Sequence, residues 1–188
     1  LRAAGLFGVM ISVHSTRPEV HDGMTGFPGS LEQAVRALRL FKEHGVVTAV
    51  NSVLPESELR AGGLDVLMDF ARDLRCDFVQ LIHPKPAGLW LDRRTEMQTD
   101  PALLARVRAD HLRFNSRACP DHPSLAAQVF EEHASVLGCT AGAVDRFYLN
   151  AHGELQPCEF LNVSFGNVAE EPFAAILAKT VADRILDA

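Results

Sequence analysis

The chain has 188 residues, 47% of them hydrophobic and 22% charged. That is enough to bury one sizeable core with a small appended module, and too apolar for wholesale disorder. A net charge of -6 with no basic run argues against a nucleic-acid-binding surface, which needs clustered Lys and Arg, and no apolar stretch is long enough to span a bilayer.

The opening LRAAGLFGVM lacks the apolar run of a signal peptide, so a cytoplasmic protein with no membrane partner is expected. Residues 6–13 form a short apolar run with β-branched residues, the pattern of a buried strand. A polar, Gly-rich loop, HSTRPEVHDGMTGFPGS, follows. Leu31, Ala34, Val35, Leu38 and Phe41 then recur at helical spacing. Ser30 with Gln33 forms a capping box at the start of this helix, and Gly45 ends it. Residues 46–54 are a second strand. Leu64, Leu67, Met68, Ala71 and Leu74 make a second amphipathic stripe, and residues 77–82 are a third strand. Near-continuous apolar strands alternating with amphipathic helices are the signature of parallel βαβ units, an α/β fold.

After HPKPAGLW the pattern changes. Residues 101–114 and 124–137 read as helices, FYLN–AHGE–LQPC as a β-hairpin, and 169–187 as a final amphipathic helix. Boundaries are therefore expected near residues 100 and 138. Three strands cannot close a barrel, and the chain does not begin with Met, so it is expected to be a piece of a longer protein.

The working edge of a parallel α/β layout is the carboxyl end of its strands. Ser12 and His14 stand there after the first strand, Asn51 and Ser52 after the second, Gln80 and His83 around the third. Strand ends are polar in general, so these groups could equally serve loop backbone. His21 and Asp22 are either an acid–base or metal-ligating pair or, more simply, residues that order the loop. The other histidines fall on helix surfaces or ends.

Of four cysteines, Cys76 sits in an apolar-flanked stretch and reads as buried and inert. Cys139, Gly153 and Cys158 are separated by thirteen and then four residues. A hairpin between two thiols can fold them back to one place, where they are either metal ligands, since thiolates ligate zinc and iron–sulfur clusters alike, or simply two buried, unliganded cysteines.

This spacing, followed by FLNVSFGNV and an EPFAAIL helix, resembles the opening of the SPASM or twitch auxiliary domain of radical S-adenosylmethionine (SAM) enzymes, including its "GN" turn at Gly166–Asn167. GVMISVHS and PEVHDGMTGFPGSLEQAVRAL resemble that family's barrel strand and helix, and VVTAVNSVL and KPAGLW fall where its next strand and "p-x-G" loop lie. His14 stands where many relatives carry Asp.

The resemblance implies a partial (β/α) barrel with parallel strands over 1–100, a helical connector over 101–138 and the start of a small α+β auxiliary cluster module over 139–188. It implies SAM and 4Fe–4S clusters as cofactors, with Ser12 and Asn51 against SAM and Cys139 and Cys158 as ligands of an auxiliary cluster. Cys119 is a possible further ligand. The complete enzyme would cleave SAM reductively to a 5′-deoxyadenosyl radical that modifies a small-molecule or peptide substrate, with flavodoxin or ferredoxin as reductant. The CxxxCxxC loop that holds the SAM-binding cluster does not occur in the chain and is expected upstream; further auxiliary cysteines are expected downstream. Two other readings compete. One is a zinc-binding, non-redox interaction module using Cys119, His122, Cys139 and Cys158. The other is a metal-free α/β barrel fragment of a hydrolase or lyase, against which stands the absence of any GxSxG nucleophile elbow.

Overall fold

The fold is taken from a computed structural model that describes all residues except 86, 88–99, 134, 137, 139, 140, 142–145, 187 and 188, with residues 180–186 described by backbone alone. The chain divides into two compact units, residues 1–84 with 99–131, and residues 85–98 with 132–188.

The first unit is a four-stranded, all-parallel sheet in the order β1 (Gly8–Ser12), β2 (Val47–Ser52), β3 (Phe78–Leu81), β4 (Ser124–Ala127). The connecting helices are α1 (Pro18–Thr25), α2 (Ser30–Glu43), α3 (Glu56–Arg60), α4 (Gly63–Asp73) and α5 (Pro101–Phe114), and α6 (Gln128–Glu131) follows β4. Alternation along the strands splits the sheet into two faces. Val50, Val79, Leu81, Leu125 and Ala127 meet the stripes Leu31/Ala34/Leu38 of α2 and Leu64/Leu67/Met68/Ala71 of α4 in one core. The opposite face carries Met10 and Ser12, Ala49 and Asn51, Phe78 and Gln80, Ser124 and Ala126, paired in register. None of these side chains belongs to that core.

Three local expectations are corrected. The loop over 14–30 contains a helix, α1. Pro18 occupies its first turn with Glu19, and Gly26 ends it in the left-handed region at φ 70°. The Ser30/Gln33 capping box does not form, since Gly29 is the N-cap of α2 and makes no side-chain cap. Asp22 takes over instead: its carboxylate accepts from the Gly29 and Leu31 amides at 2.5 and 3.0 Å and from Ser30 Oγ at 2.9 Å. Residues 124–127, expected in a helix, are a fourth strand, so the sheet has four strands rather than three. Pairing with β3 overrides the helical propensity of the Leu-Ala-Ala run. The outer edge of β4 is covered by α5 and the residue after it. Asn115 exchanges two hydrogen bonds with the Leu125 backbone at 2.7 and 3.2 Å, and His111 Nδ1 accepts from the Ala127 amide at 3.2 Å.

The second unit contains a small antiparallel sheet, β5 (Tyr148–Leu149), β6 (Glu154–Gln156) and β7 (Gly166–Asn167), followed by α7 (Phe173–Leu186). The expected hairpin is present, turning through Gly153 at φ 83°. A Cβ there would meet Asn167 Oδ1 at 2.7 Å, so the turn needs glycine. The "GN" pair is more than a turn, because Gly166 pairs with Leu155 and Asn167 with Glu154. Asn167 then turns the chain through its bond to the Ala169 amide at 2.9 Å. Among the described residues no helix is long and apolar enough to cross a membrane.

Candidate functional site at the carboxyl edge of the sheet

Parallel register places Ser12, Asn51, Gln80 and Ala126 in one row across four adjacent strands. Neighbours in such a row lie about 4.8 Å apart and point to the same face. The row sits at the carboxyl end of the open face. Ser12 is exposed and Gln80 is half-buried, and neither side chain has a hydrogen-bond partner among the described residues. Asn51 Oδ1 is buried and also unpartnered. A buried acceptor with no donor costs about 1–3 kcal/mol, so its place in the fold calls for a reason. Ser52 Oγ is buried and unpartnered too, but it faces the helices.

One step beyond the row, two imidazoles organise the end of β1. His21, buried on α1, accepts from the His14 amide through Nδ1 at 3.0 Å. His14 in turn accepts from the Val53 amide through Nδ1 at 3.1 Å. The rings stack with centroids 5.6 Å apart, and the His14 ring adds a rung to the β1–β2 ladder past the point where backbone pairing ends. Each ring keeps Nδ1 as an acceptor, so each is the neutral tautomer protonated at Nε2. Their pKa values fit that state. Burial, reinforced by His21, lowers that of His14, and burial lowers that of His21 against the opposing pull of Asp22. His21 and Asp22 thus order the loop and are not aimed at a common ligand.

Around this edge Ser15 Oγ donates to Glu58 Oε2 at 3.1 Å and accepts from the Arg17 amide at 3.1 Å. Arg17 also pairs with Glu58. A cavity of about 330 Å³ opens beside them, lined by Thr16, Arg17, Ser57, Glu58, Ala61, Gly63 and Val66. Glu58 lies on the short helix α3, which no sequence periodicity announces. Gln128 Oε1 accepts from the His83 amide at 2.9 Å and so shapes the loop after β3. His83 therefore meets the site's framework through its backbone.

Among the sulfur sites, Cys76 is buried, and burial pushes its thiol pKa up, as expected of an inert residue. Cys158 is buried at 8% exposure, two residues after β6. Cys139 lies outside the described residues. Among the described residues no group of three His, Cys, Asp or Glu side chains could hold a metal ion. His122 Nε2 is engaged by Asp69 at 3.0 Å and Arg72 at 3.3 Å.

No family model matches the chain. In sequence it is 22% identical over 193 residues to the AdoMet-dependent heme synthase of Methanosarcina barkeri, covering 94% of this chain and 54% of that protein. The chain spans about half the length of the curated relatives it matches. In structure it matches Streptococcus suis SuiB bound to its precursor peptide SuiA, with a TM-score of 0.66 at 14% identity, over 89% of this chain and 41% of that one. It also matches anSMEcpe with bound AdoMet, with a TM-score of 0.62 at 15% identity, over 96% of this chain and 53% of that one. The four-stranded parallel sheet with its helices is thus an α/β fold that matches those of the radical SAM enzymes SuiB and anSMEcpe, and AdoMet-dependent enzymes are among the chain's relatives in sequence.

Proposed function

We propose that this chain forms the later part of the SAM-binding barrel, and the beginning of a SPASM- or twitch-type auxiliary module, of a radical SAM enzyme. The observation that carries the reading is the unpartnered, buried Asn51 Oδ1 in the Ser12–Asn51–Gln80 row at the carboxyl edge of the open face. In this reading Ser12 and Asn51 hold polar groups of SAM. An acceptor without a donor is what a polar ligand would complete, and the edge position is where α/β folds place their ligands. The cofactor fits this face. The row offers hydroxyl and carboxamide groups, and Met10, Ala49 and Phe78 one step below give it an apolar floor. Bound beside a reduced 4Fe–4S cluster, SAM supplies the hydrogen-abstracting radical chemistry of the class.

The chain's own residues supply position and shape. The His14–His21 relay fixes the end of β1 beside Asn51, and Gln128 fixes the loop after β3. Cys139 and Cys158 are proposed as ligands of the auxiliary 4Fe–4S cluster, on the hairpin spacing and the burial of Cys158. The substrate is a peptide or small molecule, the reductant is a flavodoxin- or ferredoxin-type protein, and the compartment is the cytoplasm.

The test is equilibrium binding of SAM or S-adenosylhomocysteine to the full-length protein and to its Ser12→Ala and Asn51→Ala variants. The reading expects loss of affinity in both, about tenfold for Asn51→Ala, as for a buried hydrogen bond. Unchanged affinity in both variants would overturn the assignment of this row.

A further inference from the structure

Gln80 differs from the other polar residues of the carboxyl edge. His14 and His21 are held by backbone amides, Gln128 by the His83 amide, and Ser15 by Glu58 and Arg17. The Gln80 carboxamide has neither donor nor acceptor engaged among the described residues, although it is half-buried. It sits in register with Asn51 and two strands from Ser12, about 10 Å from the latter along the row. Its other neighbour in the row is Ala126, whose methyl group offers it no hydrogen-bond partner. The described strand side chains of this face are uncharged. Met10, Ser12, Ala49, Asn51, Phe78, Gln80, Ser124 and Ala126 include no acid and no base. Arg17, near the same edge, is already paired with Glu58.

We propose that Gln80 is a substrate-orienting residue whose carboxamide pairs with a neutral amide of the substrate, of the kind a peptide backbone presents. A carboxamide offers one acceptor and one donor group side by side, the complement of another amide. A carboxylate or phosphate would leave its acceptor unmatched, and the described strand side chains of this face include no cation to draw such a group. The inference rests on the reading that Ser12 and Asn51 hold SAM, since that leaves Gln80 as the part of the row beyond the cofactor.

The experiment uses full-length protein saturated with S-adenosylhomocysteine. Saturation-transfer NMR reads binding of three probes in turn: N-acetylglycinamide, acetate and methyl phosphate. The wild type should saturate N-acetylglycinamide in preference to either anion. Gln80→Ala should weaken that signal about fivefold, the worth of one neutral hydrogen bond, and Gln80→Glu, which loses the donor, should weaken it as well. Both variants should keep the wild-type affinity for S-adenosylhomocysteine within about twofold, and the wild-type Tm, which a merely structural role would not predict. An amide signal equal in wild type and both variants would overturn the proposal, as would stronger saturation of acetate or methyl phosphate. Failure of the underlying SAM reading shows separately, as S-adenosylhomocysteine affinity unmoved by Asn51→Ala.

Discussion

Asn51 joins a cost in stability to a proposed gain in binding, and the two can be separated by one substitution. Asn51→Ala removes a buried acceptor that has no donor among the described residues, so the ligand-free protein should be as stable as wild type or gain up to about 1 kcal/mol in a denaturant titration. A clear loss of stability would show that the carboxamide is structural. The imidazoles make a pH prediction. His14, His21 and His111 all have pKa values below the ordinary 6.5, chiefly through burial. A His with a lowered folded pKa binds its proton more readily in the unfolded chain. Stability is therefore full above about pH 6.5 and falls as the pH drops from there towards the folded values. Thermal melts between pH 8 and 5 should show this decline, and His21→Gln should flatten part of it; an unchanged slope would mean that folding does not lower the His21 pKa. Polar residues at the strand ends were legible in the sequence because strand ends are where a parallel fold gathers them. Which of them lack partners was not legible, since that depends on contacts such as His83–Gln128 across 45 residues.

At the scale of elements, long periodic stripes announced themselves. Leu31, Ala34 and Leu38 of α2, and Leu64, Leu67, Met68 and Ala71 of α4, are all buried as their spacing requires. Short elements did not. The four residues of β4 carry no periodicity that separates strand from helix, and its identity comes from β3 on one side and from His111 and Asn115 on the other. The Asn115 carboxamide stands in for a fifth strand at Leu125, so Asn115→Ala should cost about 1 kcal/mol, measured by chemical denaturation. An unaltered midpoint would mean that water replaces those bonds freely. Asp22 is a similar case. It caps a helix that begins eight residues later, a span no local capping rule covers. Replacing it by Ala should lower Tm by a few degrees, and by more than Ser30→Ala does, because two amides and a hydroxyl lose their acceptor together.

At the scale of the whole molecule, the chain carries one edge of the proposed ligand site and the hairpin of a second unit, and it covers about half of the relatives it matches. The proposed activity therefore belongs to the full-length protein. The 188 residues contain no CxxxCxxC, so the chain alone, reconstituted with iron and sulfide, should release no 5′-deoxyadenosine. In the full-length protein, Cys158→Ala should lower bound iron by about one cluster, while Cys76→Ala, at a buried thiol of raised pKa, should leave it intact. Equal losses would mean general unfolding. The most direct measurement is chromatographic detection of 5′-deoxyadenosine from the anaerobically reconstituted full-length protein with SAM and dithionite. 5′-Deoxyadenosine should form, with a marked reduction in Asn51→Ala at limiting SAM. An intact, reducible cluster with no 5′-deoxyadenosine from the wild type would contradict the radical SAM assignment.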